Sequence, residues 1–480
     1  MGKTDSLLLG VHLGKSKQLS VEVRVFGKGF SSGKSTYNLQ RGGDTAVMIY
    51  FQPDQNLAYN GEIFLLVEKQ WLLRANVKGN GRLNNSYYAS TFNLWDSDLK
   101  SELKSITSKG QTSLGYNGAR DEMYGDLDNY GGKVTCAYTG RTATFNSRSG
   151  ANNNSFNCEH TWPQSQFCSS NSSTMKADIH HLFATDVNAN SRRGSYPFGV
   201  VSGNATWQEG GSKQGGGVFE PRDEQKGATA RAMLYMITRY GNCSGFIGSA
   251  KEEDVLRTWA NDYAPSTKEV DRNDGIHSLQ KNRNPFVDVP AFVERIHSFR
   301  TNTPRNLQAV VMAADTLIDP APGFDDSTIY YAYLVNTGDE DFNVAGISAG
   351  AAKYTYSSGQ VAPGDALRIR FAIAGTPSSS INVQIGFDES YLSSIALTLN
   401  FTISSPFIMA EDLFSIEGNK ITMNHSNGED ALLQVYTLNG QLLAEERIST
   451  FHMMDADLPK GLLILHLSTT QRRSAKLIMR

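Results

Sequence analysis

Glu159 and His160 stand side by side in the stretch NCEHTWPQSQF at 157–167, and MKADIHHLFATDVNANSRRGSYPFG follows at 175–199. Neighbouring side chains on an extended segment point to opposite faces, so two adjacent polar groups reach one centre by different routes. One can bind a cation while the other is aimed at a water. Hydrolysis of a phosphodiester needs a base for the attacking water, a cation for the charge building on phosphorus, and help for the departing 3′-oxygen. A histidine, titrating near ~6.5, suits the first task at neutral pH. A carboxylate with an amide oxygen is a hard, oxygen-only ligand pair that prefers magnesium or calcium to zinc. Asn190 can supply the amide if its segment is a short helix packed beside the strand, with Pro197 marking its end.

The elements that must position these groups follow from periodicity. From about 86 to 303 the pattern is helical at 96–108, 226–240, 252–261 and 290–299. In the second of these, Ala230, Met233, Leu234 and Ile237 fall at i, i+3, i+4 and i+7, one apolar stripe that must face a core. Residues 1–81 alternate apolar and polar instead, as in Leu19-Ser20-Val21-Glu22-Val23-Arg24-Val25, the mark of strands with one buried face. This pattern is similar to the Ig-like accessory domains of exported bacterial proteins. Alternation returns at 304–402, as in Ala366-Leu367-Arg368-Ile369-Arg370-Phe371-Ala372, predicting a second β-sandwich. In the last segment, 405–480, Asn439-Gly440 between two apolar runs predicts a tight hairpin turn with positive φ at both centres.

Each candidate residue has a plainer reading. Adjacent His180 and His181 invite a zinc site, yet they point apart and no Cys-x-x-Cys or His-x-x-x-His accompanies them, so one is expected to support hydrogen bonding and the other to pack in the core. Asn188 competes with Asn190 as the amide ligand. Arg231 either reaches a phosphate or holds a nearby Asp or Glu. Lys281, Asn282, Arg283 and Asn284 form either a basic rim or a solvated turn before Pro285. Trp162, beside Pro163, is expected in the core.

These motifs resemble the bacterial endonuclease I family, whose pattern runs Asn-x-Glu-His-x-Trp-Pro-Gln-Ser, then Asp-x-His-His-Leu, then Asn-x-x-Arg-Ser/Gly-x-x-Pro-Phe-Gly. The likeness extends through FEPRDEQKGATARAMLYM at 219–236 and RNDGIHSLQKNRNPFVDVP at 272–290. Carried over by position, it implies His160 as general base, Glu159 and Asn190 as metal ligands and Arg193 as a phosphate contact, on a ββα-metal finger of the His-Me type. It also implies one Mg2+, with Ca2+ or Mn2+ as substitutes, sequence-independent cleavage of DNA and RNA, and 5′-phosphate products. The tail, with VYTLNGQLL at 435–443, LPKGLLILHLS at 458–468 and AKLIMR at 475–480, resembles the C-terminal sorting domain of type IX secretion and implies that export machinery as a partner. The expected fold class is therefore multidomain: an α+β His-Me finger nuclease domain at 86–303 flanked by Ig-like β-sandwiches at 1–81 and 304–402, with the sorting domain at 405–480. A monomer is expected.

Composition sets the outer limits. A chain of 480 residues exceeds the ~250–300 at which single cores stop growing. Net charge of −3 is unlike the basic footprint of a nucleic-acid binder, although basic residues outnumber acidic ones between 133 and 239, which leaves room for a local groove. No run approaches the ~20 apolar residues of a membrane span. The opening, with only Leu7-Leu8-Leu9 as its apolar part, is too short for a signal peptide, so either the protein stays inside the cell or an export signal is missing from this chain. Cys136, Cys158, Cys168 and Cys243 would allow two disulfides in an exported protein, in any of three pairings, or be free buried thiols.

Overall fold

The computed structural model describes residues 5–400 except 13–18, 40–43, 68–69, 84–85, 321–326, 358 and 376–378, and beyond 400 the backbone of strands between Phe414 and Met479. It divides into two compact units, one of residues 85–306 and one that joins 1–84 to 307–480.

Within 85–306 the helices that matter are α1 (Asp96–Ser108), α2 (Gly115–Glu122), α3 (Ser172–Ala177), α4 (Val187–Arg193), α5 (Asp223–Tyr240), α6 (Ala250–Asp262) and α7 (Thr267–Gln280). From Thr229 onward every residue of α5 is buried, so the stripe read from the sequence is part of a helix buried all round, the central rod of the unit. It ends at Gly241, whose φ of 88° suits glycine and whose N–H bonds the Ile237 carbonyl at 2.9 Å. Ser249 caps α6 by accepting from the Glu252 N–H, and Ser266 caps α7 by accepting from that of Glu269. The helix expected at 290–299 does not form. Only a 3₁₀ turn at Pro290–Phe292 is present. The Val293 carbonyl, which a helix would give to the His297 N–H, accepts instead from the Arg257 guanidinium, as do the carbonyls of Ile296 and His297, and the His297 N–H donates to Asp96 Oδ1. No helix among the described residues is long and apolar enough to cross a membrane.

The other unit is built of antiparallel strands. In 5–80 two sheets, ordered 5–12, 44–51, 30–32 and 36–39, 19–26, 58–67, 70–80, pack through Val21, Val23, Val47, Ile49, Ile63 and Leu65. In 307–400 two further sheets enclose a core that includes Tyr330, Leu334, Phe342, Ile369, Phe371, Val383 and Ile385. Strand Ala58–Val67 is buried and apolar on both faces from Ile63 to Leu66. Its Ile63 and Leu65 enter the first core, while Phe64 and Leu66 pack on Ile329, Tyr331, Tyr333 and Val335 of strand Ser327–Asn336. That shared patch is what unites two segments separated by the whole of 85–306. Beyond 400, strands Ala431–Thr437 and Leu442–Ile448 pair antiparallel; the expected Asn439-Gly440 turn between them lies outside the described residues.

Candidate active site

Two short strands and one helix carry the predicted residues. β1 (Phe156–His160) pairs antiparallel with β2 (Leu182–Asp186), with Cys158 opposite Ala184 and His160 opposite Leu182, and β2 runs directly into α4. Strand alternation puts Asn157 and Glu159 on one face of β1 and Cys158 and His160 on the other. α4 stops at Gly194, whose φ of 52° is a left-handed value and whose N–H returns to the Asn190 carbonyl at 2.9 Å. Asn190 and Arg193, three residues apart, therefore share the helix face turned toward Asn157 and Glu159. The Asn190 Nδ2 donates to Asn157 Oδ1 at 2.8 Å and to the Cys158 carbonyl at 3.3 Å. Asn188 is exposed on another face.

Glu159 is 2% exposed. Tyr138 Oη donates to its Oε1 at 2.8 Å, and Arg193 Nε lies 3.2 Å from the same oxygen. Burial raises the carboxyl above its ordinary pKa, and the opposing pull of Arg193 and Tyr138 does not restore it. The negative charge thus remains under-compensated. Among the described residues, Glu159 Oε2 and Asn190 Oδ1 have no hydrogen-bond partner, while the other polar atom of each group is fixed. Two partnerless hard oxygens beside an under-compensated charge fit a magnesium or calcium ion.

His160 is held at both nitrogens. Its Nε2 lies 3.2 Å from the Lys176 carbonyl, which can only accept, so Nε2 carries the proton. Nδ1 is then a lone pair, and the amide of the exposed Gln164 donates to it at 3.3 Å. The ring packs among Tyr116, His181 and Phe167 at 5.2, 5.4 and 5.9 Å between centroids. Burial first, and His181 second, push its pKa down to about 3, which keeps it in the neutral, proton-accepting form.

The remaining predicted residues are turned inward. Arg193 is fully buried: Nη2 donates to the Thr161 carbonyl at 2.6 Å, Nη1 to that of Gly194 at 2.7 Å, and the guanidinium lies over the Phe198 ring. Such a group orients Glu159; no part of it is offered at the surface for a phosphate. Arg231 pairs with both carboxylate oxygens of Glu269 at 2.7 and 2.6 Å and donates to the Ala260 and Tyr263 carbonyls, which is the carboxylate-holding alternative. His180 Nε2 is 3.3 Å from the Asn282 carbonyl and His181 Nε2 is 2.7 Å from that of Met175. Burial lowers both to about 4. Among the described residues no group of three or more His, Cys, Asp or Glu is placed to hold a metal. Asn282, Asn284 and Arg283 of the supposed basic rim serve the interior instead, Arg283 by pairing with Asp288 at 2.6 Å. Trp162 is in the core and donates to the Gln166 carbonyl.

Three supports lay outside the residues singled out from sequence. Tyr138 holds Glu159 from a loop with no pattern of its own. Lys176 acts on His160 through a backbone carbonyl, which no side-chain motif reveals. Asp178, inside Asp-x-His-His, anchors the turn before β2: its Oδ2 accepts from Tyr235 and Tyr240 at 2.8 Å each and its Oδ1 from Gln280 at 3.0 Å. Burial would raise Asp178, yet His180, Arg239 and Gln280 bring it down to about 2. One disulfide forms, between Cys168 and Cys243, while Cys136 and Cys158 are free and buried.

A strand pair feeding a helix thus carries the Glu159 carboxylate and the Asn190 amide on one side of β1 and the His160 imidazole on the other, on an α+β unit. The chain belongs to the endonuclease I family, whose model matches residues 82–291. The extracellular ribonuclease of Bacillus subtilis (strain 168) is 33% identical over 229 residues, covering 44% of this chain and 78% of that protein. An extracellular deoxyribonuclease of Aeromonas hydrophila is 32% identical over 120 residues, 24% of this chain and 50% of that protein. A periplasmic deoxyribonuclease of the same organism is 30% identical over 119 residues.

Proposed function

We propose that this protein is an exported, divalent-metal-dependent endonuclease that hydrolyses DNA and RNA without regard to base sequence and leaves 5′-phosphate ends. The observation that carries the reading is the His160 ring, with Nε2–H committed to the Lys176 carbonyl and Nδ1 accepting from the exposed Gln164 amide. Displacement of that amide lets Nδ1 take a proton from water. The water oxygen then bonds to phosphorus in line as the bond to the 3′-oxygen breaks, and that oxygen takes a proton from solvent water, giving a 5′-phosphate and a 3′-hydroxyl. Glu159 and Asn190 would hold the ion, magnesium with calcium or manganese as substitutes. When bound, it supplies positive charge that stabilises the phosphorane and the departing 3′-oxygen. Arg193 and Tyr138 aim the Glu159 carboxylate, and Asn157 fixes the Asn190 amide.

Contacts to backbone phosphates carry no sequence information directly, which supports indifference to base identity. The names of the relatives support both nucleic acids as substrates and an extracellular or periplasmic destination. The tail motifs support type IX export. Plasmid DNA and a structured RNA are incubated with magnesium, with and without EDTA, beside His160→Ala. Cleavage should vanish with EDTA and fall by about 10²–10⁴ in the variant. Retention of full activity by His160→Ala would overturn the mechanism, and binding without cleavage by the unaltered protein would make it a nucleic-acid-binding surface protein instead.

A further inference from the structure

Beside His160, on the face of β1 away from Glu159, the side chains of α2 make a cluster that the hydrolytic step does not use. Tyr116 and Arg120, four residues apart, lie on one side of α2. The Arg120 guanidinium carbon sits 4.1 Å above the Tyr116 ring, and the Lys176 Nζ lies 5.0 Å from the same ring. That ring is in turn 5.2 Å from the His160 imidazole. Two cations and an aromatic face therefore border the base.

Arg120 differs from most arginines of its unit in its partners. Arg141, Arg231, Arg257, Arg272 and Arg283 each pair with a carboxylate. Arg120 pairs with none among the described residues; its Nη2 donates to Asn117 Oδ1 at 2.7 Å, and its Nε is buried without any partner. Removing a guanidinium N–H from water without an acceptor is costly. The neighbouring Asp121 is turned away to Arg148, so the sequence does not supply the missing anion locally. An anion that meets this guanidinium and the Lys176 ammonium beside it matches the phosphodiester of a nucleic acid, whose phosphate oxygens accept N–H bonds.

We infer that Arg120, laid on Tyr116 beside His160, binds a phosphodiester next to the one cleaved. The inference rests on the proposed nuclease function. Lys176 adds charge to the same subsite, while its carbonyl keeps the His160 tautomer, so one short helix serves binding and base orientation together.

The test uses the full chain in a His160→Ala background, so that DNA is bound but not consumed. Binding of a fluorescein-labelled DNA duplex is followed by anisotropy from 50 to 200 mM salt. Adding Arg120→Gln should weaken binding about tenfold at low salt and reduce the slope of log K against log salt by about 1. Arg120→Lys should restore the slope but only part of the affinity, because it loses the planar fork. In a second measurement, independent of whether Arg120→Gln folds, phenylglyoxal modification of Arg120 in the parent is followed by mass spectrometry. The duplex should protect Arg120, whereas inorganic phosphate at the same phosphate concentration should not. Unchanged affinity and slope in a folded Arg120→Gln, or absence of protection by bound duplex, overturns the subsite alone when the unaltered protein still cleaves plasmid. If the unaltered protein neither binds nor cleaves, the nuclease function falls and the subsite with it.

Discussion

Replacing Arg193 with methionine removes the cation that, among the described residues, is the only one paired with the Glu159 carboxylate, which is 2% exposed. At 3.2 Å the pair attracts by about 5 kcal/mol for an effective dielectric near 20. Deleting one partner of a buried pair leaves the other charge stranded, a loss of about 3–5 kcal/mol. In a unit the size of 85–306, 1 kcal/mol moves the melting temperature by about 2–4 °C, so Arg193→Met should melt roughly 6–20 °C lower. The companion Glu159→Gln removes the stranded charge, so the double variant should recover much of the melting temperature while remaining inactive. Melting is followed by calorimetry, resolving the unit at 85–306 from the other, and activity by plasmid cleavage. Melting of Arg193→Met within 2 °C of the unaltered protein would show that Glu159 does not depend on this pairing, and the account of how the carboxylate is aimed would be wrong.

The disulfide between Cys168 and Cys243, 75 residues apart, should contribute about 4 kcal/mol by restricting the unfolded chain. Dithiothreitol or Cys168→Ser with Cys243→Ser should lower the melting temperature and activity together, since the turn at Gln164–Gln166 sits beside that bridge; an unchanged melt would remove the disulfide from this role. In the other unit, Glu62 is fully buried, facing Asn76, Arg74 and Asp365, and burial followed by these neighbours leaves it raised from 4.5 to about 7. The folded state thus holds the proton more tightly than the unfolded chain, and the resulting stability is complete below pH 4.5 and lost as pH rises through 7. The melting temperature of that unit should fall across this window and level off above it, and Glu62→Gln should flatten the profile; a slope surviving in Glu62→Gln assigns it to another group.

The placement of Glu159, His160 and Asn190 was legible because a strand alternates and a short helix brings every third or fourth residue to one side. The direction of an arginine was not. A guanidinium bonding interior carbonyls, as in Arg193, has the same composition and spacing as one reaching for phosphate. α2 escaped notice because Gly115 and Gly118 in eight residues leave no apolar stripe to find. The helix expected at 290–299 gives way to non-local contacts, the Val293 carbonyl bonding Arg257 of α6 and the His297 N–H bonding Asp96. Strands were legible on both sides of the catalytic unit, yet not their union. The signal was available in Ile63-Phe64-Leu65-Leu66, an unbroken apolar run that a strand wet on one side would not carry.

That union through Phe64, Leu66, Tyr331 and Tyr333 makes the catalytic unit a guest spliced into a host whose two halves hold each other. A protease that nicks the chain once, at either connection, severs a covalent path without freeing the guest, because the cut half remains docked on its counterpart. Release needs two cuts, or dissolution of the host itself.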